Sequence, residues 1–199
     1  FKLFHLTKGE QVFVVLEHAS GCEPRFINPE VLLPKSTFEC STIKAQTNGL
    51  LSWTSTNETA SLDYAIEQFK WGRWVEVGQV KGKGLKGANS YVFQLSPHSG
   101  KNIVRVSQTD NSGKIRVSPS TSFVSNVKAV SFSPAKVHQN LYFKADGKAV
   151  KTKFEIYDAY GNLLKTGYNN TVDCTNFVSG VYFINYDNKS EKFIKIDVP

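Results

Sequence analysis

The sequence predicts an all-β chain: two consecutive antiparallel β-sandwiches preceded by an N-terminal hairpin. Three observations predict it. Apolar and polar residues alternate with a period of about two through almost the whole chain, and the helical period of about 3.6 is hardly found. The alternating runs are short and are separated by clusters of Gly, Pro, Asn and Ser, the residues that turns require. Aromatic residues are abundant, with 14 Phe, 8 Tyr and 3 Trp, and such flat, bulky side chains pack well on a pleated surface. With 199 residues, 40% of them hydrophobic, the chain can bury one large core or two small ones.

The elements follow in order. "FKLFHL" (1–6) and "QVFVVLEH" (11–18) flank the turn "TKGE". Residues 1–36 read as this hairpin and a Pro-bearing connector, too few for a core of their own. The first sandwich is expected over 37–120. Leu51 and Trp53 share one face of a strand, as do Tyr64 and Ile66, then Val75 and Val77, then Tyr91, Phe93 and Leu95. Val104 and Val106 face inward with Arg105 opposite. "SPSTSFVSNVKAV" (118–130) is small, hydroxyl-rich and poorly periodic, and reads as a linker. The second sandwich is expected over 127–199, with strands in "AVSFSP", "NLYFKA", "VDCT", "GVYFINY" and "KFIKIDV". Its clearest hairpin is "TKFEIYDAYGNLLKTGY" (152–168), in which Phe154 and Ile156 alternate with polar residues and "AYGN" turns the chain.

The net charge is +7, and the lysines are spread along the chain. That distribution describes a solvated surface and carries no nucleic-acid signature. The densest stretch, "VKGKGLKGANS" (80–90), reads as a mobile basic loop and lacks phosphate-loop spacing. No apolar run approaches the ~20 residues of a membrane-spanning helix. Met is absent, so the chain reads as a mature or trimmed product. The three cysteines are Cys22, Cys40 and Cys174. A Cys22–Cys40 disulfide would close a loop worth ~3 kcal/mol in the chain-entropy model and would need an oxidising compartment. The other reading is three unpaired thiols.

No catalytic constellation is visible. His5, His18, His98 and His138 lie on different elements without metal-ligand spacing, and no Gly-x-Ser-x-Gly elbow exists. Glu58, Asp63, Glu67 and Glu76 are carboxylates expected simply to face water, and Cys174 is expected to pack. The expectation is therefore a non-enzymatic protein with no catalytic, metal or cofactor residues. In "KWGRW", one of Trp71 and Trp74 should point outward on a strand, either to stack on a sugar or partner protein or to cap the core. Asn57, Asn169 and Asn188 begin Asn-x-Ser/Thr triplets that arise readily by chance in so Asn- and Ser-rich a chain.

The C-terminal part resembles the C-terminal sorting domain of the type IX secretion system of Bacteroidetes. The residues that carry the resemblance are Ile156, Tyr157, Asp158, Gly161 and Leu164, then Asp173, Phe177, Gly180 and Tyr182, and a closing basic strand with Lys192, Phe193, Ile194, Lys195 and Ile196. Ser133-Pro134 stands where that family usually has Asn-Pro, and Cys174 is unusual in the motif. Residues 49–117 resemble the fibronectin-III-like module that often precedes such a domain, through Trp53, Glu58, Tyr64, Ile66, Glu67, Trp74, Val77, Gly78, Arg105, Gln108, Asp110 and Gly113. Ile103-Val104 replaces that module's aromatic.

The resemblance implies two immunoglobulin- or fibronectin-III-like sandwiches. It implies a sorting signal marked by Asp158, Gly161, Asp173, Gly180, Tyr182, Lys192 and Lys195. It also implies passage through the periplasm to the outer membrane or cell surface. The implied partners are the outer-membrane translocon, its shuttle and sortase proteins, with an envelope sensor kinase and the anionic outer-membrane surface as further candidates and no nucleic acid. Lys192 and Lys195 are expected to line an exposed strand edge and keep it from pairing with other chains. The alternatives are the tail of a larger secreted cargo, or an adhesion module using Trp71, Trp74 and the basic loop 81–86.

Overall fold

The computed structural model describes residues 35–59 and 61–197, together with Glu17 and Ala19–Gly21. The expected N-terminal hairpin and the connector with Cys22 lie outside the described residues, apart from these few positions. Every described element is a strand. β1 (Glu39–Ala45), β2 (Leu50–Thr56), β3 (Tyr64–Lys70), β4 (Arg73–Val80), β5 (Asn89–Gln94), β6 (Gly100–Thr109), β7 (Ile115–Val117) and β8 (Thr121–Ser125) build the first sandwich. β9 (Ser131–Ser133), β10 (Lys136–Val137), β11 (Asn140–Ala145), β12 (Lys148–Ala149), β13 (Thr152–Tyr157), β14 (Leu163–Asn169), β15 (Thr171–Asp173), β16 (Gly180–Tyr186) and β17 (Lys189–Lys195) build the second.

In the first sandwich a β1-β2-β5 sheet faces a sheet ordered β4-β3-β6-β7, in which β8 also pairs with β6. The period-two faces are as the sequence predicts: Leu51, Trp53, Tyr64, Ile66, Val104 and Val106 are buried in one core. Trp53 stacks on Tyr91 at 5.0 Å and meets Tyr64 edge-on at 5.5 Å, pairs worth ~0.5–1.5 kcal/mol each beyond burial. The register of β3 and β4 shifts between Ile66 and Glu67, leaving Val77 as an extra residue in β4 next to Gly78. A Cβ at Gly78 would meet the Phe93 ring at 2.3 Å, so the sheets approach closely only because the residue is glycine.

The expected linker at 118–130 is shorter than the sequence suggests. β7 and β8 are successive halves of one edge of β6. Pro119 cannot donate to the ladder, and beside it the Ser118 hydroxyl accepts from Val106 N at 3.0 Å while Ser118 N donates to Val106 O at 2.9 Å. The bridging hydroxyl keeps β8 in the sheet after the break. Only Asn126–Ala129 remain between this sheet and Val130, which belongs to the second core.

Glu58 also departs from expectation. It is 2% exposed and accepts hydrogen bonds from the Ser55 hydroxyl, Tyr64 Oη at 3.0 Å, Tyr91 Oη at 2.7 Å, Lys83 N at 3.1 Å and Gly84 N at 2.8 Å. The Lys- and Gly-rich loop is thereby tied to the aromatic core. Burial alone would raise the Glu58 pKa, but the hydrogen bonds led by Ser55 and Tyr91 outweigh it and hold the carboxyl below its ordinary value. The same carboxylate helps push the Tyr91 phenol up to about 12, although burial is the larger cause there.

The second sandwich packs the sheet β10-β17-β16-β13-β14 against β12-β11-β15 with β9 paired to β11. Seven rings run through it in contact: Phe154, Phe143, Tyr186, Phe132, Phe193, Tyr182 and Phe177, at centroid separations from 5.0 to 6.4 Å. Cys174 is buried beside them as expected, and burial pushes its thiol up to about 11.

Glu58→Gln puts an amide where two backbone N–H groups need an acceptor. It should cost the first sandwich about 2–4 kcal/mol and release the 82–84 loop to fast amide exchange. Because the folded carboxyl is held low, its contribution is present above the unfolded pKa and is lost as pH falls through the folded value. Acid melts of wild type and variant should therefore converge, and a constant gap at all pH values would refute this role.

Candidate functional site

The residues singled out by the sorting resemblance take different structural roles. Asp158 and Asp173 organise turns. Asp158 Oδ1 accepts from Tyr160 N and Asn162 N at 2.9 Å each, and Oδ2 accepts from Asn162 Nδ2 at 2.8 Å. Hydrogen bonding, led by the Asn162 side chain, holds this carboxyl below its ordinary value. Gly161 completes the turn at φ +85°, where a Cβ would be strained. Asp173 Oδ1 accepts from Thr175 N at 2.9 Å and Thr175 Oγ1 at 2.7 Å, and the Thr175 hydroxyl is the main cause of its lowered pKa.

Tyr182 is a core residue. It is stacked between Phe177 at 5.0 Å and Phe193 at 5.5 Å, and its hydroxyl donates to Val178 O at 2.8 Å. Gly180 starts β16 opposite Lys195. A Cβ there would come no nearer than 3.9 Å to the Tyr182 ring, so packing within the sandwich does not demand glycine.

The two lysines do not share an edge. Side chains alternate across a strand, and residues three apart point to opposite faces. Lys192 is exposed, whereas Lys195 is only 5% exposed and donates to Ile196 O at 3.1 Å. Nor is β17 a bare edge, because β10 pairs with it in parallel at Lys136↔Ile194 and Val137↔Lys195. Cys40 is half-buried with Sγ 3.4 Å from Thr42 O; Cys22, its expected partner, lies outside the described residues. Trp71 and Trp74 are both half-buried. Trp74 lies under the Arg105 guanidinium at 4.1 Å, with Arg105 held by Glu67 at 2.7 Å, and Trp71 lies under the Lys70 ammonium at 4.5 Å. Trp74 packs with the exposed Phe69 and with Arg105 on the outer face of its sheet.

Strand registers place most of the sorting residues together. Tyr157 pairs with Phe183 and Leu163, Gly180 with Lys195, Val137 with Lys195, and Asn140 with Asp173. The Asp158–Gly161 turn, Asp173, Gly180, Tyr182 and Lys195 therefore gather at one end of the second sandwich, with Lys192 beside them opposite Phe183. Exposed apolar side chains crowd the same end: Tyr160 is 91% and Val178 80% exposed, and Leu163, Val181, Phe183 and Ile194 also face solvent.

The opposite end is occupied by the first sandwich. Asp187, in the β16–β17 turn, is buried with φ +47°. Its Oδ1 accepts from Ser99 N at 2.8 Å, and its Oδ2 from Ser99 Oγ at 2.5 Å and Val130 N at 3.2 Å. Asn188 Nδ2 donates to Ser99 O at 2.9 Å. At the side, Arg73 meets Glu155 at 2.7 Å and the Tyr157 hydroxyl at 3.3 Å. Sequence reasoning missed this joint. Its partners are 88 residues apart, and no spacing rule connects them.

Residues 133–196 match the secretion system C-terminal sorting domain family. The match runs from the last residue of β9 to just past β17, so the sorting-domain segment is the second sandwich almost in full. No curated protein matches the sequence. Among solved structures, dimeric latent PorU from Porphyromonas gingivalis is 12% identical, with a TM-score of 0.30 over 81% of this chain and 20% of that one. A tetra-tandem repeat in the extending region of a large adhesion protein is 18% identical, with a TM-score of 0.31 over 80% of this chain and 48% of that one. Chicken CNTN1 FN1–FN3 domains are 12% identical, with a TM-score of 0.28 over 81% and 66%. The chain thus spans about a fifth of the PorU chain and about half of the adhesion repeat.

Asp187→Ala removes the acceptor that joins the sandwiches. It should lower stability by about 1–3 kcal/mol and increase the radius of gyration in small-angle scattering while both strand cores persist. An unchanged scattering profile would show that the joint does not depend on this carboxylate.

Proposed function

We propose that the C-terminal sandwich is a non-enzymatic export signal, read as a folded object at the outer membrane by the secretion machinery that recognises sorting domains. The observation that carries this reading is the crowding of the sorting residues and of exposed apolar side chains at the end away from the first sandwich. Asp158, Gly161 and Asp173 build the turns of that end, and Tyr182 stiffens it from within. Exposed apolar side chains concentrated in one region mark interaction surfaces. Gly180 fits the same reading, since its missing side chain leaves the start of β16 open to a close approach by a partner. The first sandwich is then a spacer held in fixed orientation, and the protein's destination is the cell surface, reached through the periplasm.

Truncation before Val127 leaves the first sandwich with all eight of its strands. The truncated protein should accumulate in the periplasm, and its normal delivery to the surface would contradict the proposal. Val178→Asp combined with Val181→Asp changes two exposed side chains. It should leave the melting temperature of the isolated protein nearly unchanged and reduce surface delivery severalfold. Full delivery of that variant would remove the free end from the recognition surface.

A further inference from the structure

Between the sandwiches lies a cleft of about 620 Å³, within the ~300–1,000 Å³ typical of small-molecule sites. Val77 and Phe93 of the first sandwich and Val150 of the second supply apolar wall, and the exposed Tyr168 stands among the lining residues.

The charged lining is one-sided. Lys70, Lys128, Lys151 and Lys153 line the cleft, with Asp187 as the acidic member. Asp187 is already engaged by Ser99 and Val130. The nearby Glu155 is engaged by Arg73, Tyr157 and Asn185, and Lys128 lies 3.5 Å from Asp146. Lys70, Lys151 and Lys153 are left as net positive charge. Burial, and after it the neighbouring Lys153, push the Lys70 ammonium down to about 8, with Glu155 and Asp187 offsetting only part of this. A desolvated ammonium facing another cation is relieved by an anion.

His98 adds a second requirement. It lines the cleft, is 7% exposed, and has Nδ1 2.8 Å from Ser99 O. A carbonyl oxygen only accepts, so Nδ1 carries the proton, and in the neutral imidazole Nε2 presents a lone pair. That Nε2 is buried without a hydrogen-bond partner. A buried acceptor of this kind calls for a donor, and a hydroxyl group supplies one where a bare anion does not.

We propose that the inter-sandwich cleft binds a small hydroxylated organic anion, a ring carrying a carboxylate or a phosphate, with Lys70 and Lys153 on the anionic group and His98 Nε2 accepting from a ring hydroxyl. The apolar walls meet the C–H faces of the ring. The site lies at the end of the second sandwich away from the sorting residues, so it can be tested independently of export.

Calorimetric titration of the intact 199-residue protein with glucuronate, glucose 6-phosphate, glucose and cyclohexanecarboxylate tests the assignment. Glucuronate or glucose 6-phosphate should bind at least about tenfold more tightly than the other two, a ratio of ~1.4 kcal/mol. Which of the two binds better identifies the anionic group. Lys153→Gln alters an exposed side chain and should weaken binding about tenfold, as loss of a charge-assisted contact does, whereas Lys101→Gln outside the cleft should have no effect. Equal affinity for glucose would overturn the anion requirement, and equal affinity for cyclohexanecarboxylate the hydroxyl requirement. Absence of heat from all four probes at millimolar concentration would overturn the site.

Discussion

The buried carboxylate of Asp187 sets how the two halves of the molecule sit together. A charged group out of water is stable only when its acceptor positions are filled, and here the donors come from Ser99 in the 95–99 loop of the first sandwich and from Val130, just past the linker. The aspartate stands at the tip of a tight hairpin in a left-handed backbone conformation. The loop it receives is itself braced, with Asn102 bonded to His98 at both backbone groups and the Ser125 hydroxyl donating to His98 O at 2.6 Å. Both surfaces of the joint are shaped before they meet, which limits the entropy lost when they dock.

From that constraint the division of the second sandwich follows. One end is committed to the joint and the cleft beside it, and the other is left to the turns and exposed apolar residues of the sorting segment. A ladder of aromatic rings runs between the ends, and interiors packed at crystal-like density transmit position with little slack. The sorting residues divide accordingly: Asp158, Gly161, Asp173 and Tyr182 have local reasons of turn chemistry and packing, whereas Gly180 and the surrounding exposed apolar side chains have none within the chain. Export of a folded object would draw on both groups, one to shape the end and the other to be touched.

Much of the fold was legible because half-buried strands write their burial into every second residue. Trp53, Tyr64, Val104, Phe154 and Ile156 could be assigned to cores from alternation alone. β8 was missed because its inward positions are one Phe and one Ser, and because a proline precedes it. Glu58 was misplaced because its partners come from separate elements and its residue type argues for water. The lysines of β17 were read by charge when strand parity already separated Lys192 from Lys195. The cleft and the joint left no trace in the sequence, since they arise where two independently patterned cores are brought together.

The central claim is that the two sandwiches form one oriented unit through Asp187, leaving the sorting end free. Amide hydrogen exchange on the intact protein tests it most directly, read at Ser99 N and Val130 N. Both should exchange as slowly as the central amides of β16, because opening them requires the joint to part. Exchange at the rate of exposed loop amides, with β16 still protected, would mean that the sandwiches move independently and would contradict the account.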